Sequence, residues 1–512
     1  MSLWTIAQLA AVWAASSALI YTLLLLSYRI TLHPLAKYPG PLLARLTDSY
    51  GAFFAASRSL HLVTFENHVK YGPVVRQGPG RLVFNTAQAL HDIYQNPRLT
   101  KSPLYRLAQM SSQSNIFDTT DVETHKRKRK IISRPLTEKA MRDFLPTISE
   151  QVDVFIRELR ASTSKPVNMT QRCMWLGGDI VGQLAFGYSL QQQTRKTNRW
   201  LQPGLALASA RINVYMQAPW VRKLEPLLKV FVKKSRDKYV NILNAMITNR
   251  LAMDKDAKHD LYSYAVDEMG GRDAASLADS ELWAEAFFFI VAGGNTIAAT
   301  ICALFFYLSR NSSCYRKLAE EVRGKFQDEQ DITPGELSKR CGYLHACVNE
   351  TLRCATPNTG TLWRQQLSVA DDTCGDPLII DGHEIPPGID LGVNLYAIHH
   401  NPEYFPDPFI FRPERWLDSS DAQLRAMKSA FAPFILGARS CPGKAVANIE
   451  IGLTVARTLW NFDFEVAPGD EGKVGAGEPG RHDRRHRETE YQLFDTFSAM
   501  HDGPVLRFCE RK

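Results

Sequence analysis

The sequence predicts a mainly helical protein with a smaller β part, preceded by one membrane-spanning helix. Three observations carry this expectation. Residues 1–28 contain no charged side chain, an apolar run long enough to cross a bilayer, which takes about 20 residues as a helix. Long helical patterns recur between residues 138 and 352, as apolar residues returning every third or fourth position require. Strand-like runs are short and confined to residues 74–84, 368–395 and 505–508.

The anchor comes first. From Leu3 the run is dominated by Leu, Ala, Ile, Val and Trp, with Trp4 and Tyr28 at the two interfaces. It is too long for the apolar core of a signal peptide and lacks a basic segment before it. Arg29, His33, Lys37 and Arg45 follow, so the excess of cations near the membrane places the rest of the chain in the cytosol. Pro34, Pro39, Gly40 and Pro41 then predict a stiff, non-helical hinge. The chain thus divides into an anchor (1–28), a proline-rich hinge (29–45) and one large unit (46–512).

Within that unit, Val74–Arg76 and Leu82–Phe84 flank a Gly78-Pro79-Gly80 turn and predict a hairpin. Residues 101–120 show little periodicity and predict a long irregular segment. Helices are predicted over Glu138–Leu159, Gln171–Phe186, Val230–Met253, Ala284–Ser309, Asn311–Gln327 and Thr333–Leu352. The Ala284–Ser309 stretch is nearly uncharged, so it is a buried core helix or a second span; Gly293-Gly294-Asn295-Thr296 in its middle predicts a core helix with a distorted turn. Ser368–Leu395 turns strand-like about Pro386-Pro387-Gly388. Gly469–Arg487, rich in Gly, Pro, Arg and His, predicts a mobile surface insertion. Val505–Phe508 closes the chain as a strand.

The 512 residues carry a net charge of +8, which suits an acidic partner protein or anionic lipid. No base-reading motif or zinc-finger spacing supports nucleic acid. The nine cysteines include no C-x-x-C pair, which fits a reducing compartment. There is no P-loop and no G-x-G-x-x-G, so a nucleotide cofactor is not held by those devices.

The chemistry concentrates in Phe434-Ile-Leu-Gly437-Ala-Arg439-Ser-Cys441-Pro-Gly443. Gly437 and Gly443 let the backbone turn tightly around Cys441, and a helix starting near Lys444 aims its N-terminus at the sulfur, which favours the thiolate. Phe434 keeps the loop dry, and Arg439 is placed for an acidic group of a cofactor. These are the needs of a thiolate ligand to heme iron. The run resembles the Phe-x-x-Gly-x-Arg-x-Cys-x-Gly signature of the cytochrome P450 family at every fixed position. Three more motifs agree. Glu350-Thr351-Leu352-Arg353 resembles the family's Glu-x-x-Arg pair. Phe411-Arg412-Pro413-Glu414-Arg415-Trp416 resembles its Pro-Glu-Arg-aromatic element. Ala292-Gly293-Gly294-Asn295-Thr296 resembles its oxygen-activation motif.

The resemblance implies a P450 fold that binds heme b with Cys441 as the axial thiolate. It implies a buried Glu350–Arg353–Arg415 triad of structural role, with Arg439, Arg129, Arg364 and His125 reaching heme propionates. Thr296 becomes the distal hydroxyl that relays protons, and Gly293 opens the helix beside the iron. Asn295 stands where the family usually has a carboxylate. An amide cannot shuttle a proton as an acid does, so water or another group delivers protons, turnover is slower, or the reaction is not ordinary hydroxylation. The remaining charges of His125-Lys126-Arg127-Lys128-Arg129-Lys130 are placed to dock the acidic face of a reductase. The substrate pocket is expected from Leu104–Phe117, Leu205–Met216, Phe287–Val291, Thr356–Leu362 and Thr496–Met500, with Phe288, Val291 and Phe497 in the lining of a flat, hydrophobic molecule.

The runs Tyr396–Glu403 and Asp502-Gly503-Pro504 look like those of filamentous-fungal members that tailor secondary metabolites. The implied protein is an endoplasmic-reticulum-anchored monooxygenase fed by NADPH through a separate reductase, with cytochrome b5 as a further partner. Its implied substrate is an aromatic polyketide, terpenoid or alkaloid intermediate. Two other readings stand beside it: a heme-thiolate enzyme that desaturates, couples, rearranges or isomerises, and a non-catalytic heme- or lipid-binding membrane protein.

Overall fold

The long helix Glu281–Arg310 runs through the protein core and organises everything around it. The computed structural model describes residues 2–254, 257–258, 260–269, 280–367 and 376–511. The helix is capped at its start by the Ser280 hydroxyl, which accepts from the Trp283 N–H, and buries nearly every side chain from Ile297 to Leu308. Around its second half pack Glu138–Arg160, Met169–Phe186, Ser312–Lys325, Gly342–Cys354 and Lys444–Asn461, in one continuous apolar cluster. The helix packs against Met169–Phe186 with small residues facing each other. A Cβ on Gly177 would lie 2.6 Å from the Gly294 carbonyl oxygen, and one on Gly293 would lie 2.7 Å from Val181.

That crossing corrects one expectation. The helix is unbroken through Gly293-Gly294; these glycines serve close helix packing and not a distorted turn. Gly177→Ala sets a methyl group against backbone that has no rotamer to yield. The expected cost is about 1–3 kcal/mol, read as a lower urea midpoint at unchanged slope.

The β part stands to one side. Val74–Gly78 and Arg81–Phe84 form the expected hairpin, and the sheet continues through Asp390–Val393, Arg364–Gln366 and Leu99–Lys101. Among the described strands, only the Arg81–Phe84 and Asp390–Val393 pair is parallel. Val505–Glu510 lies between Val167–Asn168 and Phe462–Val466 in a second sheet, and Leu378–Ile380 pairs with His383–Ile385. The strand expectation over residues 368–375 lies outside the described residues.

Most helix expectations fall within a few residues of the observed ends, but Thr333–Leu352 is two helices, Pro334–Arg340 and Gly342–Cys354. The break at Cys341 is held by a side chain from elsewhere: the Glu321 carboxylate accepts the N–H groups of Tyr343 and Leu344 at 2.9 Å each. An acid on the first amides of a helix is worth a new N-terminus. The Gly469–Arg487 segment is also not a loose insertion. Arg485 is buried and donates to the carbonyls of Leu493 and Arg58, and Gly477 and Glu478 pair with the backbone of Arg487 and Arg485.

Among the described residues, two helices are long and apolar enough to cross a membrane by length and composition, Leu3–Thr31 and Glu281–Arg310. The second is the core helix just described. In the first, none of the most apolar window is buried against the protein. Its end is tied to the catalytic unit: Arg76 donates to the Arg29 carbonyl at 2.7 Å and Arg45 to the Ile30 carbonyl at 3.3 Å. A short helix, Leu42–Leu46, occupies the end of the expected hinge.

Candidate active site

The Cys441 loop is built by backbone strain. Gly437 has φ +73°, and a Cβ there would lie 2.1 Å from the Tyr94 carbonyl oxygen, so no other residue fits. Ile435 has φ +59°, a conformation that branched residues avoid. It is held there by its buried side chain and by its N–H on the Ala432 carbonyl. The Cys441 N–H then bonds the Phe434 carbonyl at 2.9 Å, and Gly443 caps the Lys444–Asn461 helix. The Cys441 side chain is accessible and lines a cavity of about 290 Å³. Cys441 is alone among the described cysteines in lining that cavity.

Burial pushes the Cys441 thiol up, against the Gly443 N–H and the Arg129 charge that pull it down. The Gly443 N–H at the start of the Lys444–Asn461 helix and the Arg129 charge both act toward the thiolate. A bound metal ion deprotonates a coordinating thiol outright.

Around the same cavity lie Arg129, Arg364, Arg439, His125 and Lys101. Arg439 donates to the carbonyls of Thr119 and Thr120 and to the Thr100 hydroxyl. Arg129 donates to the Ser440 carbonyl, Arg364 to the Trp363 carbonyl, and Lys101 to the carbonyls of Ile116 and Phe117. Their hydrogen-bond partners are neutral oxygens. Burial, then the neighbouring Arg364, pushes Arg439 down to about 10. Burial, then Arg439, drives Lys101 well below its ordinary value, and the same two causes push His125 down to about 2, so its ring is neutral. A cluster of buried cations hydrogen-bonded to neutral oxygens, with the carboxylates of Asp118, Glu285 and Asp121 acting on Lys101 and Arg439 only from beyond hydrogen-bond contact, is a site for an anionic group. Lys101 carried no motif and was not legible in the sequence.

The donor set fits heme b: one thiol, several unneutralised cations for two carboxylates, and apolar walls from Phe434, Ile297, Leu362 and Ala447. Lys128, by contrast, does not belong to a docking face. It is fully buried and pairs with Glu285 at 3.0 Å; Lys126, Arg127 and Lys130 stay exposed, with Arg127 on Glu281.

Above the cavity, Thr296 lines the wall with its hydroxyl on the Ala292 carbonyl at 2.8 Å. Gly293 turns away, against Val181. Asn295 is not in the lining: its amide donates to the Ser498 hydroxyl at 2.8 Å and to the Ala499 carbonyl at 3.1 Å. It clamps the loop that presents Phe497, which sits at φ +73°. Phe117 and Phe288 stack at 5.2 Å, and Phe497 meets Phe117 edge-on at 4.9 Å. All five expected pocket segments reach this cavity, Phe288, Val291 and Phe497 among them. No Asp or Glu is among the described residues lining it; the side-chain hydroxyls there are those of Tyr105, Thr296, Thr300, Ser209, Ser440 and Ser498.

Beneath, Glu350 and Arg353 are both fully buried and Arg415 nearly so. Arg353 grips Glu350 with two bonds of 2.8 and 3.0 Å, and Arg415 adds one of 2.9 Å. The Arg412 N–H and the Trp416 indole complete the shell; both lie in the Phe411–Trp416 element of the sequence, which assigned the triad only Arg415. The two guanidiniums donate onward to carbonyls between His399 and Ile410.

A family model described as Cytochrome P450 matches residues 46–477. The chain is 33% identical over 500 residues to cytochrome P450 monooxygenase poxM of Penicillium oxalicum, covering 96% of this chain and 93% of that one. It is 32% identical over 504 residues to cytochrome P450 monooxygenase AKT7 of Alternaria alternata, covering 95% of each. It is 32% identical over 523 residues to cytochrome P450 monooxygenase apf7 of Gibberella fujikuroi, covering 96% of each.

Proposed function

The chain belongs to the cytochrome P450 family, and from that premise we propose that it is a membrane-anchored heme-thiolate monooxygenase that oxidises a flat, hydrophobic intermediate of fungal secondary metabolism. Electrons come from NADPH through a separate reductase, with cytochrome b5 as an auxiliary donor. The Leu3–Thr31 helix supports anchoring, and the cytosolic side of the endoplasmic reticulum follows from the cations after it. The observation that carries the reading is one cavity shared by the Cys441 thiol, a cluster of unneutralised cations and a wall of Phe117, Phe288 and Phe497.

Bound there, heme supplies dioxygen cleavage and insertion of one oxygen atom into a C–H bond, the chemistry that a Cys ligand favours. Cys441 would hold it through the sulfur, and Arg129, Arg364, Arg439 and Lys101, beside the neutral His125 ring, would pair with its carboxylates. Phe434 and Ile435 keep water from the sulfur. Thr296 holds a proton at its hydroxyl oxygen. It lends that proton when it turns from the Ala292 carbonyl toward the cavity.

Thr296→Ala removes that hydroxyl and leaves the fold in place. Product formed per NADPH consumed should fall by about 10²-fold, the low end of what a positioned proton donor contributes, while heme binding is unchanged. The test of the function itself is turnover of the full-length protein with a reductase, fungal extract and isotopic dioxygen. A product heavier by one labelled oxygen supports monooxygenation. The absence of a carboxylate beside Thr296, with Asn295 engaged on Ser498 and Ala499, favours the second reading, desaturation, coupling or isomerisation. That reading predicts a product without label.

A further inference from the structure

The cavity wall carries one more cation, on the substrate side of the site. Arg211 lies on the helix Leu201–Gln217 and lines the cavity with Met110 and Ser209. Its Nη1 donates to Glu225 Oε1 at 3.2 Å, and its Nη2 reaches only the Met110 sulfur, at 3.8 Å. Its Nε is buried without an acceptor. A guanidinium carries five N–H donors in a fixed fork and a thioether accepts weakly. This one has a carboxylate on one arm, a poor acceptor on the other and nothing on the Nε between them. Buried donors left so are costly unless a partner arrives.

Arg211 already faces a carboxylate: Glu225 pairs with it at 3.2 Å and shares its other oxygen with the more exposed Arg222 at 3.9 Å, and the Arg211 and Glu225 side chains keep only 24% and 20% of their surface. An incoming carboxylate would meet the Glu225 charge as well as the guanidinium. A neutral oxygen acceptor meets only the spare donors. The aromatic wall of Phe117, Phe288 and Phe497 selects a flat, apolar body for the same molecule.

We propose that Arg211 determines specificity by taking a neutral carbonyl oxygen of a flat, apolar substrate in place of the Met110 sulfur. The inference rests on the proposed role of the cavity as a substrate chamber. It was not legible in the sequence, because Arg211 lies in no motif and its partners come from residues 110 and 225.

Three probes of one shape test it: fluorene, fluorenone and fluorene carboxylate. Their binding to full-length, heme-loaded protein in lipid nanodiscs is measured by calorimetry and by the shift in heme absorption. Fluorenone should bind about tenfold more tightly than fluorene, the scale of one hydrogen bond to a charged donor. Arg211→Met should erase that advantage while fluorene affinity stays within about twofold, which also shows that the cavity is intact. Arg211→Lys should restore part of it. Equal affinity of fluorenone and fluorene, an advantage that survives Arg211→Met, tightest binding by the carboxylate, or no binding of fluorenone would each overturn the inference. Calorimetric binding that follows Arg211 with no change in heme absorption would uphold the contact and instead sink the proposed function.

Discussion

Cys441→Ser yields a protein that folds but neither forms a heme-thiolate nor turns over. Serine occupies nearly the same volume, and the loop's shape is set by Gly437, Ile435 and the Cys441 N–H on the Phe434 carbonyl, none of which the substitution touches. What is lost is the soft, ionisable ligand. The reduced carbon-monoxide complex should lack the thiolate-type absorption band, and product formation should drop to background. Thermal stability of the heme-free chain should move little, within about 0.5 kcal/mol. Retention of the band would mean another cysteine serves. The other described cysteines give no room for that: Cys173, Cys302, Cys314, Cys341, Cys347 and Cys354 are buried and outside the cavity lining, and Cys509 lies on the surface.

Glu350→Gln has the second-largest effect, on stability and not on chemistry. Glutamine keeps the shape but removes the carboxylate charge that both buried guanidiniums grip, and its N–H₂ points at donors. Glu350 accepts from Arg353, Arg415, the Arg412 N–H and Trp416. Breaking one partner of such a buried cluster costs about 3–5 kcal/mol, out of a total of about 5–15 for a folded domain. The carbonyls between His399 and Ile410 lose their anchors with it. The expected outcome is loss of soluble heme-loaded protein and an early urea transition. Wild-type stability in the variant would reduce the cluster to surface decoration.

The same carboxylate gives a pH dependence. Burial opposes ionisation of Glu350, but Arg353, Arg415 and the Arg412 N–H outweigh it and hold the group below its ordinary 4.5. A group depressed in the folded state contributes stability above its unfolded value and loses it as pH falls through the folded one. Acid unfolding monitored by heme release should therefore steepen below about pH 4.5, and Glu350→Gln should flatten that limb.

How much was legible depends on whether the signal was local. The Cys441 loop, the Glu350–Arg353 pair and the long helices announce themselves by residue type at short spacing, because turns, i to i+3 pairs and helical faces are set by near neighbours. The split at Cys341 was invisible, since the acid that caps the second helix is Glu321, twenty-two residues away from Tyr343. Lys128 read as one charge in a basic run; its burial depends on Glu285, 157 residues on. Gly469–Arg487 read as loose because its composition is that of loops, while Arg485 finds its carbonyls on Arg58 and Leu493.

By itself, then, the amino-acid sequence determined the family, the helical class, the Cys441 signature loop and the apolar N-terminal helix, each a matter of residue type at short range. Only the tertiary structure decided what Gly293, Asn295, Lys101, Lys128 and Arg211 do. Gly293 faces a second helix, Asn295 holds the Phe497 loop, Lys128 pairs inward, and Lys101 and Arg211 face the cavity. The physical reason is common to all five: a side chain's role is set by the groups that bury and partner it, and those arrive from distant parts of the chain only when it packs.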